Sequence, residues 1–349
     1  MVTLEHIATA ELGGEAFPTR LATSPDGQRV VALRGTAIVF DRALRRVGEA
    51  NLGGPHAPAV ALTALDEGFV VMSEEHLTRW SFEGELQAQL DIEPWGAGLQ
   101  GALARAHGRL WSVHLPEGAP ESGLPWVLAM HDPETLAVRV EIDLGHTEAT
   151  HFALHEASPG VLGIDLYQAP DYIGTLTLPL EEDGELSEPV HRPEDIGDVH
   201  GYLGERLLGR TPWELVLADA ESGDTLGRSK LEEVFGAGPD GSALDDLERG
   251  WLDPHGRVLI HTRSGFVGEL VQDGAALRFE RWELEGLEVQ RESMRVTGTG
   301  GRTHTIEPET TRACAVQPLG ADALVAELFA QRGDHPQPAQ LMTWKLPPA

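Results

Sequence analysis

Seven positions stand in equivalent places, each just before a short run of small and apolar residues: Arg20, Ala59, Gln100, His151, His200, Arg249 and Arg312. Five of these are guanidinium or imidazole groups, in a chain whose 56 acidic residues against 26 basic ones give a formal charge of -30. Guanidinium groups present planar donor forks that match carboxylate and phosphate oxygens, so a ring of such side chains could hold an anionic group by charge-assisted hydrogen bonds. The architectural alternative is that each arginine pairs with a Glu or Asp of the neighbouring unit.

The elements that would position this column recur along the chain. Arg20-Leu-Ala-Thr-Ser-Pro-Asp-Gly27 leads into Arg29-Val-Val-Ala-Leu33, and Arg249-Gly-Trp-Leu-Asp-Pro-His-Gly256 leads into Arg257-Val-Leu-Ile-His261. A short apolar strand, a tight turn and a second apolar strand return roughly every 35 to 50 residues, the mark of one sheet unit that buries its faces only when neighbours stack on it. Runs such as Phe69-Val-Val-Met72 and Val161-Leu-Gly-Ile164 are nearly continuous in apolar residues, as strands covered on both faces should be. Third strands end in Val39-Phe-Asp41, Arg79-Trp-Ser81, Met130-His-Asp132, Leu217-Ala-Asp219 and Thr343-Trp-Lys345. Seven inner strands can be aligned, which predicts an all-β, seven-bladed β-propeller forming a single domain over residues 1–349. The blades are expected at about 15–53, 54–94, 95–147, 148–193, 194–231, 248–287 and 311–347. The last contains three strands, and residues 1–13 have the composition to supply its outer strand and close the ring.

On these residues the chain resembles the WD40 and YVTN-type propeller superfamily over nearly its full length. Ser24-Pro-Asp-Gly27 matches the inner turn of that group, Phe40-Asp41 and Trp80-Ser81 approximate its Trp-Asp ending, and the Gly-His that opens a WD40 repeat is missing. The resemblance implies a rigid scaffold that presents one loop-rich face to a protein or peptide partner.

The remaining features narrow the chemistry. The acidic field repels phosphate backbones and anionic headgroups, so neither nucleic acid nor membrane is an expected partner. No stretch approaches membrane-spanning length and the first residues lack a basic segment followed by an apolar run, which predicts a cytoplasmic protein. The single cysteine, Cys314 in Ala313-Cys-Ala-Val316, reads as an inert core thiol. His146, His151 and His155 suggest a metal, but residues 151 and 155 on one strand would lie about 13 Å apart, too far to share an ion, and no metal site or cofactor is predicted. No nucleophile elbow or phosphate-binding loop is present, and Gly298-Thr-Gly-Gly-Arg-Thr-His304 reads as a hairpin turn.

Three long connections, 114–125, 232–248 and 287–310, should project from one face; the second could form a short acidic helix near Ser242 and the third an extra hairpin. Trp95, Tyr167, Tyr172 and Trp213 are the aromatics expected on that face. The leading expectation is therefore a non-catalytic module for a protein or peptide, with no catalytic residues assigned. The alternative is a hydrolase or lactonase-like enzyme, or a small-molecule sensor, taking an anionic small molecule at the channel mouth, with His151 or His200 as general base in the enzyme.

Overall fold

A computed structural model describes residues 2–12, 20–52, 60–95, 99–116, 125–144, 148–158, 160–168, 171–180, 196, 198–220, 222–237, 243–253, 255–287, 294–297, 303–306, 310–332, 335–336 and 339–348. Seven antiparallel blades follow one another along the chain. In the first, Arg20–Thr23, Arg29–Arg34, Thr36–Asp41 and Arg46–Asn51 lie side by side in chain order, from inner to outer strand. Blades two, three and five repeat this order from inner strands Ala61–Leu65, Ala102–Ala106 and Asp198–Leu203. Blade four shows three strands among the described residues, His151–Ser158, Val161–Gln168 and Asp171–Pro179. The chain is thus all-β and folds as a seven-bladed β-propeller around a central channel.

Both ends of the chain meet in the last two blades. Blade six runs from Leu247–Leu252 to Ala276–Leu284, and Val2–Leu4 lies parallel to that last strand. Blade seven contains Thr310–Leu319, Ala323–Arg332 and Gln340–Lys345, and His6–Glu11 pairs antiparallel with the last of these. The N-terminal segment is therefore an additional edge for one blade and the outer strand of the next, and its own Leu4 and Leu12 are buried. A separate hairpin, Met294–Thr297 with Thr303–Ile306, occupies the connection before blade seven.

Burial is greatest in the second strands and least in the outer ones. All five residues of Gly68–Met72 and of Val258–Thr262 are buried, whereas Val138–Asp143, an outer strand, is almost wholly exposed. Apolar second strands therefore supply the core, and polar outer strands the rim.

Local hydrogen bonds explain why the repeat is visible. Ser24 Oγ donates to Asp26 Oδ1 at 2.6 Å and accepts from Arg29 N at 2.8 Å, fixing the inner turn of blade one. In blade six Asp253 Oδ1 accepts from His255 N and Arg257 N at 2.9 and 2.8 Å, so Asp253-Pro-His-Gly256 builds a related turn. Gly27 has φ +66, and a Cβ there would meet the backbone nitrogen of Gly320 at 2.4 Å, so the inner turns of blades one and seven touch where no side chain fits. The acidic or Ser residues that end third strands cap the next turn: Asp41 accepts from Ala43 N and Arg45 N, Ser81 from Glu83 N and Glu85 N, and Asp132 from Glu134 N and Thr135 N. Their recurrence is turn chemistry.

The connection before blade six differs from the expected helix near Ser242. A single turn of helix forms earlier, at Leu231–Phe235, because Leu231 and Val234 bury one side against blades five and six.

Candidate functional site

The inner strands of six blades surround a cavity of about 810 Å³. Small residues, Ala22, Ala61, Ala64, Ala104 and Ala315 among them, leave room at its wall, and its chemistry comes from the polar side chains between them. Arg20 and Arg249 are the two members of the sequence-derived column that line it, and Arg105, His155, Glu248 and His261 join them.

Most of these polar groups have partners. Arg105 pairs with Asp66 at 3.3 Å, and Glu248 lies 3.7 Å from Arg263. His261, buried, bonds through Nε2 to the carbonyl oxygen of Ala313 at 3.0 Å, linking blade six to blade seven. His155 Nδ1 lies 3.6 Å from Asp165 Oδ2, and Thr175 Oγ1 donates to the other oxygen of that buried carboxylate, a relay across the three strands of blade four. A Cβ on Gly163 would fall 2.0 Å from His155 Nε2, so this glycine makes room for the ring.

Arg20 and Arg249 differ. Neither has a carboxylate or hydrogen-bond partner among the described residues, so the architectural alternative does not account for them. Both are open to the channel, yet the surrounding wall displaces enough water that desolvation lowers the pKa of each guanidinium from its ordinary value. They remain cations at any physiological pH.

The rest of the column is used between blades. Gln100 bridges to His151 in parallel register, its N–H donates to Thr150 O at 2.8 Å, and its amide reaches Val60 O at 3.4 Å. His151 Nδ1 meets Thr150 Oγ1 at 2.9 Å. His200 Nδ1 meets the backbone oxygen of Glu248 at 3.0 Å, tying blade five to blade six. None of the three lines the cavity. Ala59 and the side chain of Arg312 lie outside the described residues.

The aromatics also divide. Trp213 is 77% exposed, in the second-to-third connection of blade five, with Thr211 Oγ1 accepting from Trp213 N and Glu214 N at 3.3 and 2.9 Å. Trp95 is not a surface residue: it is 1% exposed and its ring centroid is 6.0 Å from that of Trp126, which stacks edge-on against Phe152 at 4.8 Å. The gap where blades two, three and four converge requires bulky apolar filling, and this turn supplies it. Tyr167 is half-buried on the second strand of blade four, and the side chains of Tyr172 and Cys314 lie outside the described residues. No group of three metal-ligating side chains occurs among the described residues.

A second polar cluster is sealed inside blade three. Ser112 Oγ lies 2.8 Å from His114 Nδ1 and 2.7 Å from His131 Nε2, and His131 Nδ1 lies 3.0 Å from Leu136 O. The carbonyl can only accept, so a neutral His131 donates from Nδ1 and accepts at Nε2; Ser112 then donates to His131 and accepts from His114. Desolvation pushes His114 down to about 4, with the neighbouring His131 adding to it, and lowers His131 as well.

No protein family and no curated protein matches the sequence. Solved structures do match in shape. The C-terminal WD40 domain of Sif2 superposes with a TM-score of 0.53 at 8% identity, over 99% of each chain. The fold is that of the WD40-type propellers. The Pan2 WD40 domain of Neurospora crassa gives 0.53 at 10% identity over 100% of this chain and 98% of its own. The Dos1 propeller gives 0.51 at 9% identity over 98% and 95%. At these identities the likeness concerns the WD40-type fold, and the site belongs to this chain's own residues.

Proposed function

We propose that this WD40-type propeller is a non-catalytic, cytoplasmic interaction module that binds a protein or peptide on the face where outer strands lead into inner ones. The observation that carries this reading is Trp213, an indole 77% exposed yet held on a connection pinned by Thr211. A large aromatic carried on an ordered backbone has only its own side-chain torsions left to fix when it docks, which is why such residues anchor interfaces. Leu244, 55% exposed in the connection entering blade six, extends the apolar surface on the same face. The enzymatic reading has less support, because His151 and His200, its candidate bases, are turned to Thr150 and to the backbone of Glu248 rather than into the cavity.

The test is affinity purification of the tagged chain from its native host beside Trp213→Ala and Leu244→Ser. A stoichiometric protein retained by the parent and lost from Trp213→Ala supports the reading. Equal retention by both would move the interface elsewhere, and turnover abolished by His200→Ala in a folded protein would replace this function with the enzymatic one.

A further inference from the structure

We infer that Arg20 and Arg249 form an oxyanion site in the channel, taking a phosphate or carboxylate group that enters from solvent. The two residues occupy the same place in their blades, each a fixed distance before the inner turns that begin at Ser24 and Asp253. Blade seven lies between blades one and six, so the arginines flank its inner strand, whose lining residues Ala315, Val316 and Gln317 carry no charge. With Arg105 paired to Asp66, Arg20 and Arg249 are the other two guanidinium groups lining the shared cavity of about 810 Å³, which is within the usual range for small-molecule sites.

Energetics point the same way. A guanidinium that loses part of its hydration to the channel wall gains from a counter-charge placed against it. This chain has more than twice as many acidic as basic residues, 56 against 26, and it pairs other arginines closely: Arg210 grips Asp246 through two bonds of 2.7 Å. Even Glu248, next to Arg249, is directed to Arg263. Two arginines without a partner among the described residues, amid such an excess of carboxylates, offer their donor forks to an incoming oxyanion. The acidic exterior repels anions in general, so binding that does occur reports this site rather than diffuse attraction.

The inference does not need the partner-binding reading above, because free anions suffice as probes. Calorimetric titration of the full chain at low ionic strength would use inorganic phosphate, citrate and a hexaglutamate peptide in turn, against the parent, Arg20→Gln, Arg249→Gln and the double variant, with folding checked by circular dichroism. Arg278→Gln, on the exposed outer strand of blade six, is the control. One anion per chain is expected, weakened at least about tenfold by either channel substitution and unaffected by the control. Arg→Lys variants should recover part of the affinity, since charge is kept and the planar fork is lost. Binding of phosphate or citrate would identify a free small anion as the ligand, and binding of hexaglutamate alone a carboxylate carried on a chain. No binding of any probe at millimolar concentration, or equal binding by the double variant, overturns the site.

Discussion

The sealed cluster of blade three and the channel of blades one and six show two fates for polar groups in an apolar propeller. In the first, Ser112 and two imidazoles satisfy one another and end on the carbonyl of Leu136, and burial keeps the rings neutral. In the second, Arg20 and Arg249 keep full charge with no partner among the described residues, although the chain as a whole is rich in carboxylates and Glu248 lines the same cavity. A closed network consumes its hydrogen-bonding capacity internally and so serves architecture. An open one holds that capacity in reserve, which is how a binding site differs from a core.

The architectural side of this contrast breaks most severely at the N-terminus. Deleting residues 2–11 would expose the edges of blades six and seven and remove buried Leu4 itself, with a loss of about 5 kcal/mol or more from lost burial and pairing. Urea denaturation measures this; an unchanged midpoint would show that the strand pairing contributes little.

Acid should act next. The folded chain holds His114 at about 4, while the unfolded chain titrates near 6.5, so the unfolded state binds more protons between these values. Stability is complete above about pH 6.5 and falls as pH drops toward 4, by on the order of 3 kcal/mol from this residue. His131 and His261, lowered by the same desolvation, add to the loss in that window. Asp132 acts separately: its pKa is lowered chiefly by Arg139 and then by Thr135, so its contribution is present above its ordinary value near 3.8 and disappears only at lower pH. Stability measured from pH 8 to 4 in the parent and in His114→Phe tests the assignment, since the variant should lose less across that interval. Ser112→Ala should cost about 1 to 3 kcal/mol at neutral pH, because it strands an acceptor on His131 and a donor on His114. A cost below about 0.5 kcal/mol would mean that the network is not closed as described.

The fold was legible because its signals are local. Ser24-Pro-Asp-Gly27 and Asp253-Pro-His-Gly256 carry their own turn hydrogen bonds, and each is followed by an apolar second strand, so blades could be counted from residues within a few positions of each other. The site was legible only where that offset held. Arg20 and Arg249 sit where the offset puts them, Arg249 remaining paired with His261 just after a bulge in blade six, whereas the shift of blade five between Val199 and Gly201 makes His200 itself the skipped residue and turns it toward Glu248 O. A one-residue shift exchanges the faces of a strand, and no local pattern announces it. His155 and Arg105 escaped for another reason: they lie inside inner strands rather than at their entrances. Trp95 was misread because its partner Trp126 is distant in sequence, across an insertion that gives no hint of the contact.

The smallest expected effect discriminates best between the two fates. If the channel arginines are held in reserve for a ligand, the anion-free protein bears the cost of their desolvation, and replacing both with glutamine should stabilise it by about 0.5 to 1 kcal/mol, the usual gain when a functional strain is removed. Core polar groups behave oppositely, as Ser112→Ala should show. A saturating anion should then reverse the order. At a hundredfold excess over Kd it adds about 2.7 kcal/mol to the parent and nothing to Arg20→Gln/Arg249→Gln, so the melting curves of the two proteins should cross as the anion is titrated. Parallel curves at every concentration would place the arginines with the architecture, and a variant less stable than the parent without anion would show that their charges are satisfied within the fold.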